Sequence, residues 1–175
     1  MKTIDANDRV FLDETGVNLA MTRLYARAPQ GERAYASTPV NTGKNITVLG
    51  ALSLDGVIAA MTVEGSTDTE VFFTYVQTIV VPTLRPGQIV LMDNLSSHTD
   101  ERIQTALEAV GATLAYVPPY SPDFSPIEPC WSKVKAILRA TAARTRETLD
   151  AAITHALQMV TPQDARGWFT QCGYL

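Results

Sequence analysis

Apolar and polar positions alternate between two rhythms along this chain, and the changes of rhythm mark its elements. "DRVFLDETG", residues 8–16, predicts a short strand that ends in acids. "GERAYASTPVNTGKN", residues 31–45, is polar and rich in turn formers. "ITVLGALSLDGVIAAMTVEG" predicts two strands joined at Asp55-Gly56, a dipeptide that favours tight hairpin turns. "STDTEVFFTYVQTIVVPTL" predicts a helix, with Thr67 and Glu70 at capping-box spacing. The unbroken apolar run of "GQIVLMDN" suits a strand buried on both faces. "TDERIQTALEAVG" is amphipathic at helical period, with Thr99 as its cap and Gly111 as its stop. "ATLAYVPP" predicts a further strand; "CWSKVKAILRATAA" and "RETLDAAITHALQMV" predict helices. In "TPQDARGWF", Thr161 caps a last helix, Pro162 sits in its first turn and Asp164 lies three residues after the cap. Three strands, then helix, strand, helix, strand and helices predict an α/β domain around a mixed sheet of about five strands.

Composition narrows the class. At 175 residues the chain has the length of one domain with a real core, and 46% apolar with 18% charged residues is a globular balance. The richest apolar window, "VFFTYVQTIVV", is too short and too polar to span a membrane, and "MKTIDANDRV" lacks the apolar core of a secretion signal. A cytoplasmic location and no membrane partner are the expectation. Cys130 and Cys172 form neither a disulfide framework nor a zinc spacing, and both read as buried thiols. The net charge of −4 does not announce a nucleic-acid partner. Between Lys133 and Arg146, however, stand Lys133, Lys135, Arg139, Arg144 and Arg146 with no acid. That stripe is either a set of phosphate contacts or a solvated helix surface.

The candidate chemistry lies in three acids. Asp13 follows the apolar "VFL", and Asp93 follows "IVLM". A carboxylate at the end of a buried strand is costly unless it is paired. Two such strands side by side would crowd two carboxylates together, and a hard divalent ion is their natural partner. Taken alone, either Asp reads more readily as an ordinary turn residue than as a ligand. Glu128 sits within "VPPYSPDFSPIEPCWSKVK", where five of the chain's ten prolines fall between Pro118 and Pro129. Ser125-Pro126-Ile127-Glu128 fits a capping box, which would make Glu128 structural. Pro129 disfavours the helical conformation at Glu128, which would leave the carboxylate free at the threshold of the helix.

"FLDETG", "LMDNLSSH" and "VPPYSPDFSPIEPCWSKVK", in that order, resemble the catalytic domain of mariner-like bacterial insertion-sequence transposases of the DDE superfamily. The spacing of 34 residues between Asp93 and Glu128 is typical of that branch, although Ser125 stands where the family often has Asn. The resemblance runs from about Val10 to the "GWFTQCGY" tail. It implies a ribonuclease-H-like fold with Asp13, Asp93 and Glu128 as catalytic, metal-holding triad, using Mg²⁺ with Mn²⁺ as substitute. It implies two-metal phosphoryl transfer: water attacks the phosphodiester at the element's end, and the freed 3′-hydroxyl attacks target DNA. DNA at insertion-sequence ends and at the target would be the partner, and a homodimer the active form. Lys133, Lys135 and Arg139 become the candidate DNA contacts. Relatives carry a helix-turn-helix region before the catalytic domain; residues 1–175 therefore read as a single catalytic domain without it. The rival readings are a ribonuclease-H-like nuclease without strand transfer and an inactive transposase-derived DNA-binding protein.

Other residues carry weaker readings. His98 could approach the metals or DNA, or bond a loop backbone. Asn94 could orient a ligand or make a turn. Ser96, Ser97 and Ser121 read as turn and cap residues, Tyr120 as packing on the prolines, and His155 as structural. Trp131 and Trp168 read as core.

Overall fold

The computed structural model describes residues 4–95, 98–118 and 121–175; Ser96, Ser97 and Tyr120 lie outside the described residues. Five strands form one sheet: β1 (Arg9–Val17), β2 (Ile46–Ser53), β3 (Gly56–Glu64), β4 (Ile89–Met92) and β5 (Thr113–Tyr116). Their order is β3-β2-β1-β4-β5. The pairs β3–β2 and β2–β1 are antiparallel, whereas β1–β4 and β4–β5 are parallel. This is the mixed five-stranded sheet that the alternation of elements predicts.

Helices cover both faces. On one lie α1 (Thr69–Tyr75), a π turn that extends it over Val76–Val80, and α2 (Glu101–Glu108). Their Phe72, Tyr75, Val76, Val80, Ile103 and Leu107 pack on Val10, Leu12, Val90 and Met92. On the other lie α3 (Ile127–Thr141), α4 (Arg146–Gln158) and α5 (Pro162–Gln171), packed on Phe11, Val17, Val48 and Leu52. The alternation of side chains along a strand sorts β1 between these two cores. Odd-numbered residues face α3, and even-numbered ones face α1 and α2. All eight residues of β2 are buried, which is why "ITVLGALS" reads as a nearly continuous apolar run. No helix among the described residues is long and apolar enough to cross a membrane.

Several expectations shift by a residue or more. The N-cap of α1 is Asp68, which accepts from the Val71 amide, rather than Thr67. The N-cap of α2 is Asp100 rather than Thr99. In both places a carboxylate adjoins the threonine and takes the capping position. The β2–β3 turn is Leu54-Asp55, and Gly56 opens β3 at φ 102°, a value glycine adopts without strain. Strand β1 does not end at its acids. Asp13 is the fifth of its nine residues, because β2 pairs with β1 as far as Val17. The Thr161–Asp164 capping box of α5 forms as expected. Residues 18–45, between β1 and β2, contain no helix or strand and are mostly exposed.

Candidate active site

The parallel ladder between β1 and β4 pairs Arg9 with Ile89, Val10 with Val90 and Phe11 with Leu91. Two residues beyond the last pair, each strand carries an aspartate: Asp13 on β1 and Asp93 just past β4. The ladder stops there because the chain turns away after Met92, whereas β1 runs on against β2. After this point β1 leads to β2 on one side, and β4 leads through α2 to β5 on the other. Such a divergence opens a crevice at the carboxyl end of β4, beside the middle of β1, and the carboxyl ends of strands are where open α/β sheets bind ligands. A cleft of about 500 Å³ occupies this position, lined by Asp13, Asp93, Asn94, Ser121, Ser125 and Glu128 among others.

Glu128 reaches the cleft from the first turn of α3. Pro126 is the N-cap, and no side chain caps the helix, so the Ser125–Glu128 capping box is absent. Nor does Glu128 stand outside the helix. Pro129 is tolerated because the first-turn amides have no intrahelical acceptor to lose. The carboxylate is exposed and free of hydrogen bonds among the described residues. Its approach is held instead through the backbone. The Phe124 amide donates to the Ser121 carbonyl at 3.1 Å, and the Glu128 amide donates to the Ser125 carbonyl at 3.1 Å. The Tyr174 hydroxyl, from the tail after α5, donates to the Phe124 carbonyl at 2.6 Å.

Asp13 is the most constrained of the three. Burial pushes its carboxyl up from 3.8 to about 6, and the charges of Glu128 and Asp93 push in the same direction. The Glu14 amide and the Trp131 indole oppose that rise. Trp131 Nε1 donates to Asp13 Oδ2 at 2.9 Å. Beside Asp93, His98 is wholly buried, with its ring stacked on Phe72 at 3.9 Å between centroids. His98 Nδ1 lies 2.5 Å from Asp93 Oδ1, although the ring is not aligned for a hydrogen bond. The Tyr116 hydroxyl donates to the His98 carbonyl at 3.2 Å, fastening the loop after β4 to β5.

A family model described as DDE superfamily endonuclease matches residues 8–150. The chain belongs to this family. No curated protein matches it in sequence. Among solved structures, the Mos1 transposase paired-end complex with left transposon end is similar at TM-score 0.73 and 16% identity, over 95% of this chain and 52% of that one. The Mos1 mariner paired-end complex with Mn is similar at TM-score 0.70 and 16% identity, over 97% and 54%. The catalytic domain of Mos1 mariner transposase is similar at TM-score 0.67 and 14% identity, over 95% and 78%. The chain thus spans about half the length of the transposases in those complexes. At these identities the likeness is one of fold, that of a transposase catalytic domain.

The donor set of this DDE endonuclease fits hard divalent cations. All three candidate ligands are carboxylates, and a cation would relieve both the burial that chiefly raises Asp13 and the lesser repulsion from Glu128 and Asp93. Among the described residues no three His, Cys, Asp or Glu side chains converge as a ready cage for one ion. Mg²⁺ does not require one; it is commonly held by one or two carboxylates together with water and substrate phosphates.

The cationic stripe divides. Lys135 and Arg139 line a second cleft of about 580 Å³ that shares Asp13 and Glu128 with the first. Neither forms an ion pair or hydrogen bond among the described residues. Lys133 points elsewhere: its Nζ lies 2.6 Å from Asp164 Oδ2 and ties α3 to the capping box of α5. Arg144 donates to the Leu19 and Met21 carbonyls, and Arg146 pairs with Asp150 and Glu64. Helical period carries this distinction. At 3.6 residues per turn, positions seven and eleven after Glu128 fall within about 20° of its face, and the fifth falls about 140° away. The apolar pattern of α3 places Trp131 only in the core. It is buried, yet its position three residues after Glu128 puts it on the neighbouring face, where its N–H meets Asp13. Trp168 is half-buried against the core, in keeping with its pattern.

Proposed function

We propose that this chain carries the phosphoryl-transfer centre of a transposase, which cleaves DNA at the ends of a mobile element and joins the freed 3′-hydroxyl to target DNA. The observation that carries this reading is the β1–β4 register, which sets Asp13 beside Asp93 at one cleft with Glu128 on its rim. Asp13, Asp93 and Glu128 would hold Mg²⁺, or Mn²⁺ in its stead. When bound, the ions would stabilise the negative charge that builds on the attacking and leaving oxygens. The protein's own part is positioning. Asp13 presents a half-buried carboxylate fixed on one oxygen by an indole, Asp93 is backed by the buried His98, and Glu128 stands on a helix start whose dipole favours its charge. Lys135 and Arg139, on the Glu128 face of α3, would hold the phosphates of the DNA strand that leaves the acids. In the first step water attacks phosphorus and the P–O3′ bond breaks. In the second the released 3′-hydroxyl attacks a target phosphodiester and displaces another 3′-oxygen. No side chain need form a covalent bond. A homodimer, with one centre for each element end, is the proposed working form.

Joining separates this reading from a hydrolase on the same fold. With Mn²⁺, pre-cleaved element-end duplexes should be inserted into plasmid DNA, giving covalent products on a denaturing gel. Nicking without any joined product would favour a nuclease without strand transfer. Metal-independent DNA binding with neither product would favour an inactive binding protein.

A further inference from the structure

Trp131 does more in this structure than fill the core. Its indole lies against the sheet at Gly50, the residue directly opposite Asp13 in the β1–β2 register. A Cβ on Gly50 would fall 2.5 Å from Trp131 Cη2 and 3.0 Å from Cζ2, so the ring occupies the space where any other residue would carry a side chain. From that seat its N–H meets Asp13 Oδ2 at 2.9 Å. Trp131 is 3% exposed, so water does not compete freely for this bond. A donor on a carboxylate oxygen fixes the carboxylate's rotation and leaves the other oxygen to meet a cation.

We infer that Trp131 is a positioning residue for metal binding: seated on Gly50, it holds Asp13 so that Oδ1 is offered to the divalent ion. The inference rests on the proposed function, because it needs a cation at Asp13. A core tryptophan that packed for volume alone would not require its N–H. A positioning tryptophan does, and groups that orient metal ligands in this way typically change metal affinity by about 10- to 100-fold when removed.

The test uses the whole chain with ¹⁵N-labelled tryptophan. The indole resonance of Trp131, assigned by its absence in Trp131→Phe, should move during a Mg²⁺ titration, while that of Trp168 stays in place. Trp131→Phe keeps an aromatic ring in the core and removes the donor, together with the distal edge of the indole that rests on Gly50. It should raise the Mn²⁺ concentration needed for half of the thermal-melt shift by at least about tenfold, while its melting temperature in EDTA falls only modestly. Gly50→Ala, which displaces the indole but keeps its N–H, should weaken metal binding in the same direction. If Mg²⁺ raises the melting temperature of the wild type but leaves the Trp131 resonance unmoved, the positioning role is wrong and the proposed function stands. An unchanged Mn²⁺ midpoint in a folded Trp131→Phe would overturn the positioning role in the same way. If neither ion affects the wild type at all, both readings fall together.

Discussion

The three acids of this chain differ in what surrounds them, and the difference predicts how each variant will behave. Glu128 is exposed, caps nothing and makes no hydrogen bond among the described residues. Glu128→Gln should therefore leave the thermal melt in EDTA within about 0.5 kcal/mol of wild type and abolish metal-dependent cleavage. A large loss of stability would make Glu128 structural instead. Asp13 is the opposite case. Its folded carboxyl titrates at about 6 against an ordinary 3.8, so the folded chain holds this proton more tightly than the unfolded chain does. The associated stability is fully present below about pH 4 and is lost as pH rises to about 6, a penalty of at most about 3 kcal/mol at neutral pH. Asparagine keeps an acceptor for Trp131 and removes the charge. In EDTA, Asp13→Asn should match wild type near pH 4 and exceed it near pH 7.5, as read by urea melts at both values. Equal stability at both would remove the buried-charge account.

At the scale of elements, the proposed function divides α3, because one of its faces holds Glu128, Lys135 and Arg139 while another holds Lys133. Reversing the charges of Lys135 and Arg139 should weaken DNA binding alike on all sequences and flatten its dependence on salt by about two counterions. Lys133→Ala should leave DNA affinity nearly unchanged and lower the melting temperature, since Lys133 supports the Asp164 carboxylate that closes the α5 capping box. Titration of DNA by fluorescence anisotropy at several salt concentrations, beside thermal melts, reads both. The same helix explains how far the sequence could be read. The strands, their approximate bounds and the three acids follow from apolar runs and motif order, because burial dictates residue type there. The division of the basic stripe was available from helical period but not from charge counting. Asp68 and Asp100 took capping positions from neighbouring threonines, a competition between adjacent good caps that composition does not decide. The seating of Trp131 on Gly50 joins residues eighty-one positions apart in the chain, and no local pattern encodes it.

For the whole molecule, the sheet brings acids from two central strands to one crevice, and α3 delivers the third from the side. Such an arrangement stores repulsion that a cation releases, so metal and fold should be linked. Mg²⁺ or Mn²⁺ should raise the melting temperature, by about 2.7 kcal/mol of added stability at a free concentration 100 times the dissociation constant. Asp93→Asn should lose most of that shift without losing stability in EDTA. The central claim is that Asp13, Asp93 and Glu128 together make a metal-dependent DNA-cleaving centre. Nicking of supercoiled plasmid in Mn²⁺ and in EDTA, by wild type and by Asp13→Asn, Asp93→Asn and Glu128→Gln, tests it most directly. Wild type should nick in Mn²⁺ alone, and each folded variant should lose at least about a hundredfold in rate, roughly 2.7 kcal/mol of transition-state stabilisation. Nicking that survives in any of the three, or that proceeds equally in EDTA, would contradict it.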